Sequence, residues 1–385
     1  MGRLVLHVVG ARPNFMKMAP LVAALERDPG GHEHLLVHTG QHYDAHLNDA
    51  IFRDLSLRSP DIHLGAGSGS HAEQTGRIMV AFERLVAERR PGLVVVAGDV
   101  NSTLACSVVA AKATVPVAHL EAGLRSHDWA MPEEINRIVT DRLARVLLTP
   151  SPDADANLLA EGTDPARIAR VGNCMIDSLL RHLERARAGN ALERFGVARG
   201  GFALGTFHRP SNVDDEAKLL RLVAALRATA AELPVVFPVH PRTRARLDAA
   251  AVSVADLERA GLHLSEPLGY LDFLQLQDAA RVVITDSGGI QEETTVLGVP
   301  CLTARDNTER PITLTEGTNR LIGGDPAVIP AAVRAVLAGE VRRGGVPALW
   351  DGHAGERAAR ALLAFLDTGR LPAATPGGDA HATTS

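Results

Sequence analysis

The sequence predicts an α/β protein built from two parallel-sheet domains, and two observations carry that expectation. Short apolar runs rich in Val, Ile and Leu recur, each ending in a glycine-rich or polar turn and followed by an amphipathic stretch. The rhythm stops in RAGNALERFGVARGG and then starts again. Near-continuous apolar strands are those of parallel sheets whose two faces are both covered by helices. A chain of 385 residues with 46% hydrophobic residues is long and apolar enough for two or three cores.

The elements follow in order. LVLHVVG precedes ARPNFMKMAPLVAALE, HLLVHTG precedes QHYDAHLNDAIF, and GLVVVAGD precedes VNSTLACSVVAAKA, each a strand followed by a helix. VPVAHLEAG and RVLLTPS continue the series, and RIARVGN closes the first half. FALGTFHRP, LPVVFPVHP, LHLSEP, RVVITDSGG, VPCLTARD and NRLIGGD supply the strands of the second. A helical pattern from Glu356 to Leu366 precedes PAATPGGDAHATTS, whose composition is that of a disordered tail. The expected division is 1–180, 181–352, a C-terminal helix over 353–368, and a tail over 369–385.

Bulk properties narrow the function. A formal charge of −5 gives no global attraction to nucleic acid or anionic membranes, so neither is expected as a partner. Cys106, Cys174 and Cys301 lie far apart without ligand spacing, which argues against a disulfide framework and a zinc site. The N-terminal apolar run is too short for a signal peptide, and no run approaches a membrane span, so a cytoplasmic location is expected. The histidines of HTGQH, His38 and His42, are not on one helical face, and no metal is expected. GAGSGS at 65–70 lacks the ending of a phosphate loop and reads as a mobile loop.

Polar groups cluster where predicted strands end. Arg12, Gln41, Asp99 and Glu121 follow strands of the first half; His208, His240, Ser287 and Asp306 follow strands of the second. Ligands of open α/β sheets bind outside the carboxyl ends of strands, so the two edges could share a cleft. In VITDSGGIQEETTVLG a strand, a Ser-Gly-Gly turn and a helix start present free N–H groups for an anion. The plainer reading has Ser287 capping the helix, with Glu292 and Glu293 as first-turn charges. On the opposite edge Asp99 reads either as a cap for the helix near Ser102 or as part of an acidic site. Glu133 and Glu134 read either as helix-start charges paired with Arg137 or as site groups. Glu121, between an apolar strand and Ala-Gly, fits the acidic site better.

The runs GARPNFMKMAPL, TGQH, GDVNSTLA, HLEAGLRS, PEEINR, VGNCMID, PVHPRTR, TDSGGIQEE and TERP, in this order over about residues 10 to 320, resemble the non-hydrolysing UDP-N-acetylglucosamine 2-epimerases. The resemblance implies two Rossmann-like domains of the GT-B type with the active site in the interdomain cleft. It also implies a C-terminal helix returning to the first domain, a homodimer and no cofactor. By matched motif, UDP recognition falls to Arg12, His240, Phe273, Ser287, Gly288, Gly289, Glu293 and Arg310, with Lys17 and His208 near the diphosphate or reacting sugar. The carboxylates implicated in chemistry are Asp99, Glu121 and Glu133. By its spacing alone Phe273 reads as a core residue.

The implied reaction inverts C2 by eliminating UDP to a 2-acetamidoglucal and adding it back, interconverting UDP-GlcNAc and UDP-ManNAc. It requires an acid and a base at C2 and a cationic pocket for departing UDP. Crowded carboxylates in a closed cleft raise at least one pKa, so one group can hold a proton while another accepts one. A hydrolysing epimerase releasing ManNAc and UDP, a GT-B glycosyltransferase and a non-catalytic nucleotide-sugar sensor are the alternatives. Asn14 stands where familiar bacterial members carry Glu, the loop from Arg125 to Pro132 is shorter, and HRPSN replaces a more basic run. These departures leave an allosteric UDP-GlcNAc site unsupported.

Overall fold

The computed structural model describes residues 2–40, 58–239, 241–250, 252–341 and 344–372, without the side chains of Arg12 and Arg242. The expectations on Gln41, His42, His240, the Arg12 side chain and most of the tail lie outside the described residues.

The first sheet comprises β1 (Leu4–Val9), β2 (Glu33–His38), β3 (Ile62–His63), β4 (Leu93–Ala97), β5 (Val117–Leu120), β6 (Val146–Thr149) and β7 (Ile168–Arg170). The second comprises β8 (Ala203–Thr206), β9 (Val235–Pro238), β10 (Leu262–Ser265), β11 (Val282–Thr285), β12 (Cys301–Thr303) and β13 (Asn319–Leu321). Their spatial orders are β3-β2-β1-β4-β5-β6-β7 and β10-β9-β8-β11-β12-β13. Every pairing is parallel. In each sheet the order reverses beside the first strand, between β1 and β4 and between β8 and β11, which opens a crevice at the carboxyl ends.

Burial follows the two-residue period of a strand. Val5, Val9, Leu93, Val95, Ala97, Ala118, Leu120, Val146 and Leu148 enter one core, while Leu6, Val8, Val94, Val96, Val117 and Leu147 enter the core on the opposite face. Both faces are therefore apolar, as the unbroken runs demand. Two further cores flank the second sheet in the same way.

The helix Ala354–Thr368 returns to the first sheet, its Ala358, Leu362 and Leu366 entering the same core as Phe15 and Leu21 of the helix Arg12–Arg27. Its first turn is tied to the helix Cys174–Arg187, because Asp177 accepts the N–H groups of Ala354 and Gly355 at 3.1 and 2.7 Å. Trp350 donates its Nε1–H to the carbonyl of Pro150 at 3.0 Å just before this turn. Among the described residues no helix is long and apolar enough to cross a membrane.

Candidate active site

The first-lobe edge of the crevice is built from the turns after β1, β4 and β5. Asn14, in the first turn of the helix Arg12–Arg27, accepts the N–H groups of Gly10 and Ala11 at 3.3 and 3.1 Å and donates to Ala97 O at 2.7 Å. It thereby ties the end of β1 to the end of β4. Lys17, on the next turn, ion-pairs with Glu121. The pair closes over Gly98, where a Cβ would lie 2.7 Å from Lys17 Nζ and 3.2 Å from Glu121 Oε2, and whose φ of +63 favours glycine. Glu121 itself has φ +71, a left-handed conformation costing about 1–2 kcal/mol in a non-glycine residue. The N–H groups of Glu121 and Ala122 both donate to Leu148 O, at 3.0 and 3.1 Å, and hold it there.

Asp99 does not cap the following helix. That helix, Asn101–Lys112, has Val100 at its N-cap and no side-chain cap. Asp99 Oδ2 instead accepts Arg137 Nη1 at 2.6 Å. Arg137 also donates to Glu134 at 2.9 Å, and Glu134 accepts the N–H groups of Ser126 and His127, both at 2.9 Å. The paired reading of Glu134 is therefore correct, and Glu134 fixes the loop leading to the helix Pro132–Leu143. Burial alone would push Asp99 and Glu134 up. At Asp99 Arg137, aided by Lys17 and Arg310, and at Glu134 the Ser126 N–H, aided by Arg137 and the His127 N–H, outweigh burial and hold both below the usual carboxylate range.

The second-lobe edge comes from β8, β11 and β12. The helix Gly288–Leu297 starts directly after the turn, and the Ser287 side chain does not cap it. Glu292 and Glu293 lie in its second turn and are buried, so neither is the exposed first-turn charge that the simpler reading required. His208 is exposed at the cleft rim, its Nδ1 3.2 Å from Asp286, which also accepts the backbone N–H groups of His208 and Arg209. Asp286 is held below the usual range because those bonds and the His208 ring outweigh burial. Phe273 packs beside the core containing Leu276 and Val283.

Arg310 joins the two edges. It is 5% exposed and contacts Glu309 at 2.6 Å, Glu292 at 3.0 Å and, across the cleft, Glu121 at 3.2 Å. Its Nη1 and Glu309 Oε1 would each lie 2.6 Å from a Cβ at Gly288, so the guanidinium rests on the glycine turn. Glu309 also pairs with Arg305 at 2.8 Å and lies 3.6 Å from Arg209. Despite burial, Arg310, Arg305 and Arg209 hold Glu309 far below the usual range. Arg209 and Arg305 reach Met131 Sδ of the first lobe at 3.7 and 3.9 Å. Half-buried Glu133 is close enough for its charge to act on Arg209.

One buried network thus contains Lys17, Asp99 and Glu121 from the first lobe and Arg310 from the second, with Gly288 against Arg310. Glu133 and His208 stand at its margin. Sequence reasoning did not assign Arg137, Asp286, Glu292 or Glu309 to the site. The signal available for each was position, since Asp286 ends a strand and Glu309 adjoins Arg310. Among the described residues no cluster could hold a metal ion.

A model of the family described as UDP-N-acetylglucosamine 2-epimerase matches residues 23–363. A UDP-N-acetylglucosamine 2-epimerase of Methanocaldococcus jannaschii is 38% identical over 360 residues, covering 92% of this chain and 97% of the relative. A UDP-2,3-diacetamido-2,3-dideoxy-D-glucuronate 2-epimerase of Pseudomonas aeruginosa is 39% identical over 340 residues, covering 86% and 92%. The crystal structure of the M. jannaschii UDP-GlcNAc 2-epimerase with UDP-GlcNAc and UDP superposes with a TM-score of 0.86 at 38% identity, over 93% of this chain and 99% of that one. The Neisseria meningitidis UDP-GlcNAc 2-epimerase bound to UDP-GlcNAc gives 0.84 at 28% identity, over 94% and 99%. The two Rossmann-like lobes are accordingly arranged in the GT-B manner, and the chain belongs to the UDP-N-acetylglucosamine 2-epimerase family.

Proposed function

We propose that the protein interconverts UDP-GlcNAc and UDP-ManNAc without hydrolysis, by eliminating UDP to a 2-acetamidoglucal and adding it back on the other face. The observation that carries this reading is the Arg310–Glu121 contact at 3.2 Å, which puts a cation of the glycine-turn lobe beside the acidic edge of the other lobe. A substrate whose diphosphate meets Arg310, Lys17 and the N–H groups at Ser287–Gly289 would present its hexose to Asp99, Glu121 and Glu133. In this reading the proton at C2 passes to and from that trio, and the cations stabilise the charge that gathers on departing UDP. Glu293 serves the ribose, Phe273 the base, Arg12 and His240 the rest of UDP, and His208 the reacting sugar or diphosphate.

The P. aeruginosa relative, 39% identical, supports a second substrate, a diacetamido hexuronate carried on UDP. Both reactions invert C2, so incubation in D₂O with each nucleotide sugar decides between them. Deuterium at C2 of UDP-GlcNAc and UDP-ManNAc, with no free ManNAc, is the expected result. Binding of UDP-GlcNAc without C2 exchange would exclude the proposed proton abstraction, and free ManNAc with UDP would establish hydrolysis.

A further inference from the structure

Glu292 is 1% exposed, and neither carboxylate oxygen has a hydrogen-bond partner among the described residues. Arg310 Nε lies 3.0 Å from Oε1 but is itself without an aligned acceptor, so the contact is an ion pair without a hydrogen bond. Buried polar groups are nearly always bonded, and such an orphan requires an explanation. Position supplies one. Glu292 is four residues beyond Gly288 on the same helix, so both lie on one helical face and both touch the Arg310 guanidinium.

We infer that Glu292 is a proton-compensating residue of the diphosphate pocket, releasing Arg310 to an arriving diphosphate by taking up a proton from solvent. The inference rests on the function proposed above only in requiring a diphosphate at Arg310. While ionised, Glu292 competes for that guanidinium; once protonated, it leaves the charge to the ligand and can donate a hydrogen bond. Several charged groups act on it: Arg310 beside Glu309, Glu121 after β5, and Lys17 from the helix Arg12–Arg27. On the helix Cys174–Arg187, Met175 lies against Gly289, the Cys174 thiol is pushed up by burial and by Asp177 and Glu121, and buried Asp177 is itself pushed up by burial. Burial, reinforced by Glu121 and opposed by Arg310 and Lys17, pushes Glu292 up to about 7. Asp153, from the helix Pro152–Ala160, is a rival, because its oxygens are also unpartnered and burial raises it.

The test is titration calorimetry of the full chain with UDP at pH 7.5 and 8.5, in two buffers of different ionisation enthalpy. One unit above a midpoint near 7 the carboxyl is about nine-tenths ionised, so binding should take up roughly half to one proton per site. The UDP Kd should rise up to about tenfold per pH unit above that midpoint. Glu292→Gln should take up fewer protons by that amount and bind UDP with a flatter pH dependence. Since UDP's own ionisation is common to both proteins, the difference isolates Glu292. Absence of uptake by wild-type protein at pH 8.5 overturns the inference without need of the variant. Uptake undiminished in Glu292→Gln overturns it in favour of another group such as Asp153. UDP binding without proton uptake refutes only this inference; UDP binding without C2 exchange refutes only the epimerase reading; absence of UDP binding refutes both.

Discussion

Replacing Glu121 with glutamine should separate the proposed catalysis from UDP binding. Glutamine keeps the shape and accepts the same backbone conformation, but leaves Lys17 and Arg310, each 5% exposed, without their shared anion. Removing one partner of a buried ion pair costs about 3–5 kcal/mol. The lower figure applies, because Arg310 keeps Glu309 and Glu292. Turnover should fall by roughly 10²–10⁴-fold, the range of acid–base catalysis. UDP affinity should hold or improve, since an anion competing for both cations is gone. UDP at 100 times its Kd adds about 2.7 kcal/mol of stability, so saturating ligand should restore most of the lost melting temperature. C2 exchange by NMR, UDP calorimetry and thermal melts read the three effects. Turnover within about threefold of wild type, or UDP affinity falling in step with turnover, would refute the reasoning.

Other outcomes follow from neighbouring geometry. Arg137→Lys loses the fork joining Asp99 and Glu134, so the acid limb of the kcat/KM profile should move to higher pH as Asp99 is released upward. Asp141, despite burial, is held below the usual range by His119 and Arg125, so its stabilisation is full above about pH 4 and is lost as pH falls through its lower folded value. Asp141→Asn should cost about 3 kcal/mol near neutrality and show a shallower acid-unfolding curve by circular dichroism. In Gly355→Ala the new Cβ would lie 2.6 Å from Pro20 C, so the C-terminal helix must shift. A loss of about 1–3 kcal/mol and faster amide exchange over 354–368 are expected.

The strands were legible because parallel sheets leave an unbroken apolar signature, and every strand except the two-residue β3, too short to leave such a run, falls on the run that predicts it. Strand ends also placed Asp99, Glu121, Ser287 and His208 along the crevice, where open α/β sheets offer room for a ligand. Pairing was less legible. Asp99 looked like a helix cap, yet its partner Arg137 is 38 residues away, and Glu121 meets Arg310 at a separation of 189. Sequence spacing carries no information about which lobe faces which, so Glu309 and Glu292 looked like ordinary charged residues. Their role emerges only when Arg310 is seen resting on Gly288.

That arrangement has an energetic consequence for ligand recognition. Arg310 is already surrounded by Glu121, Glu292 and Glu309, and Lys17 is already paired, so the pocket does not wait as an uncompensated positive hole. Burying such a hole would carry the desolvation cost of isolated cations. A diphosphate at the proposed site would therefore bind by exchange, taking cations from carboxylates that must themselves be protonated or moved. For Glu121, exchange has a chemical use: the carboxylate displaced from Lys17 and Arg310 is the one beside the proposed hexose position. Arrival of the diphosphate would then unmask a base where the C2 proton is to be taken. Glu121, held by Lys17 and Arg310 in the fold, would on this proposal become reactive only when a competing anion occupies the adjacent turn.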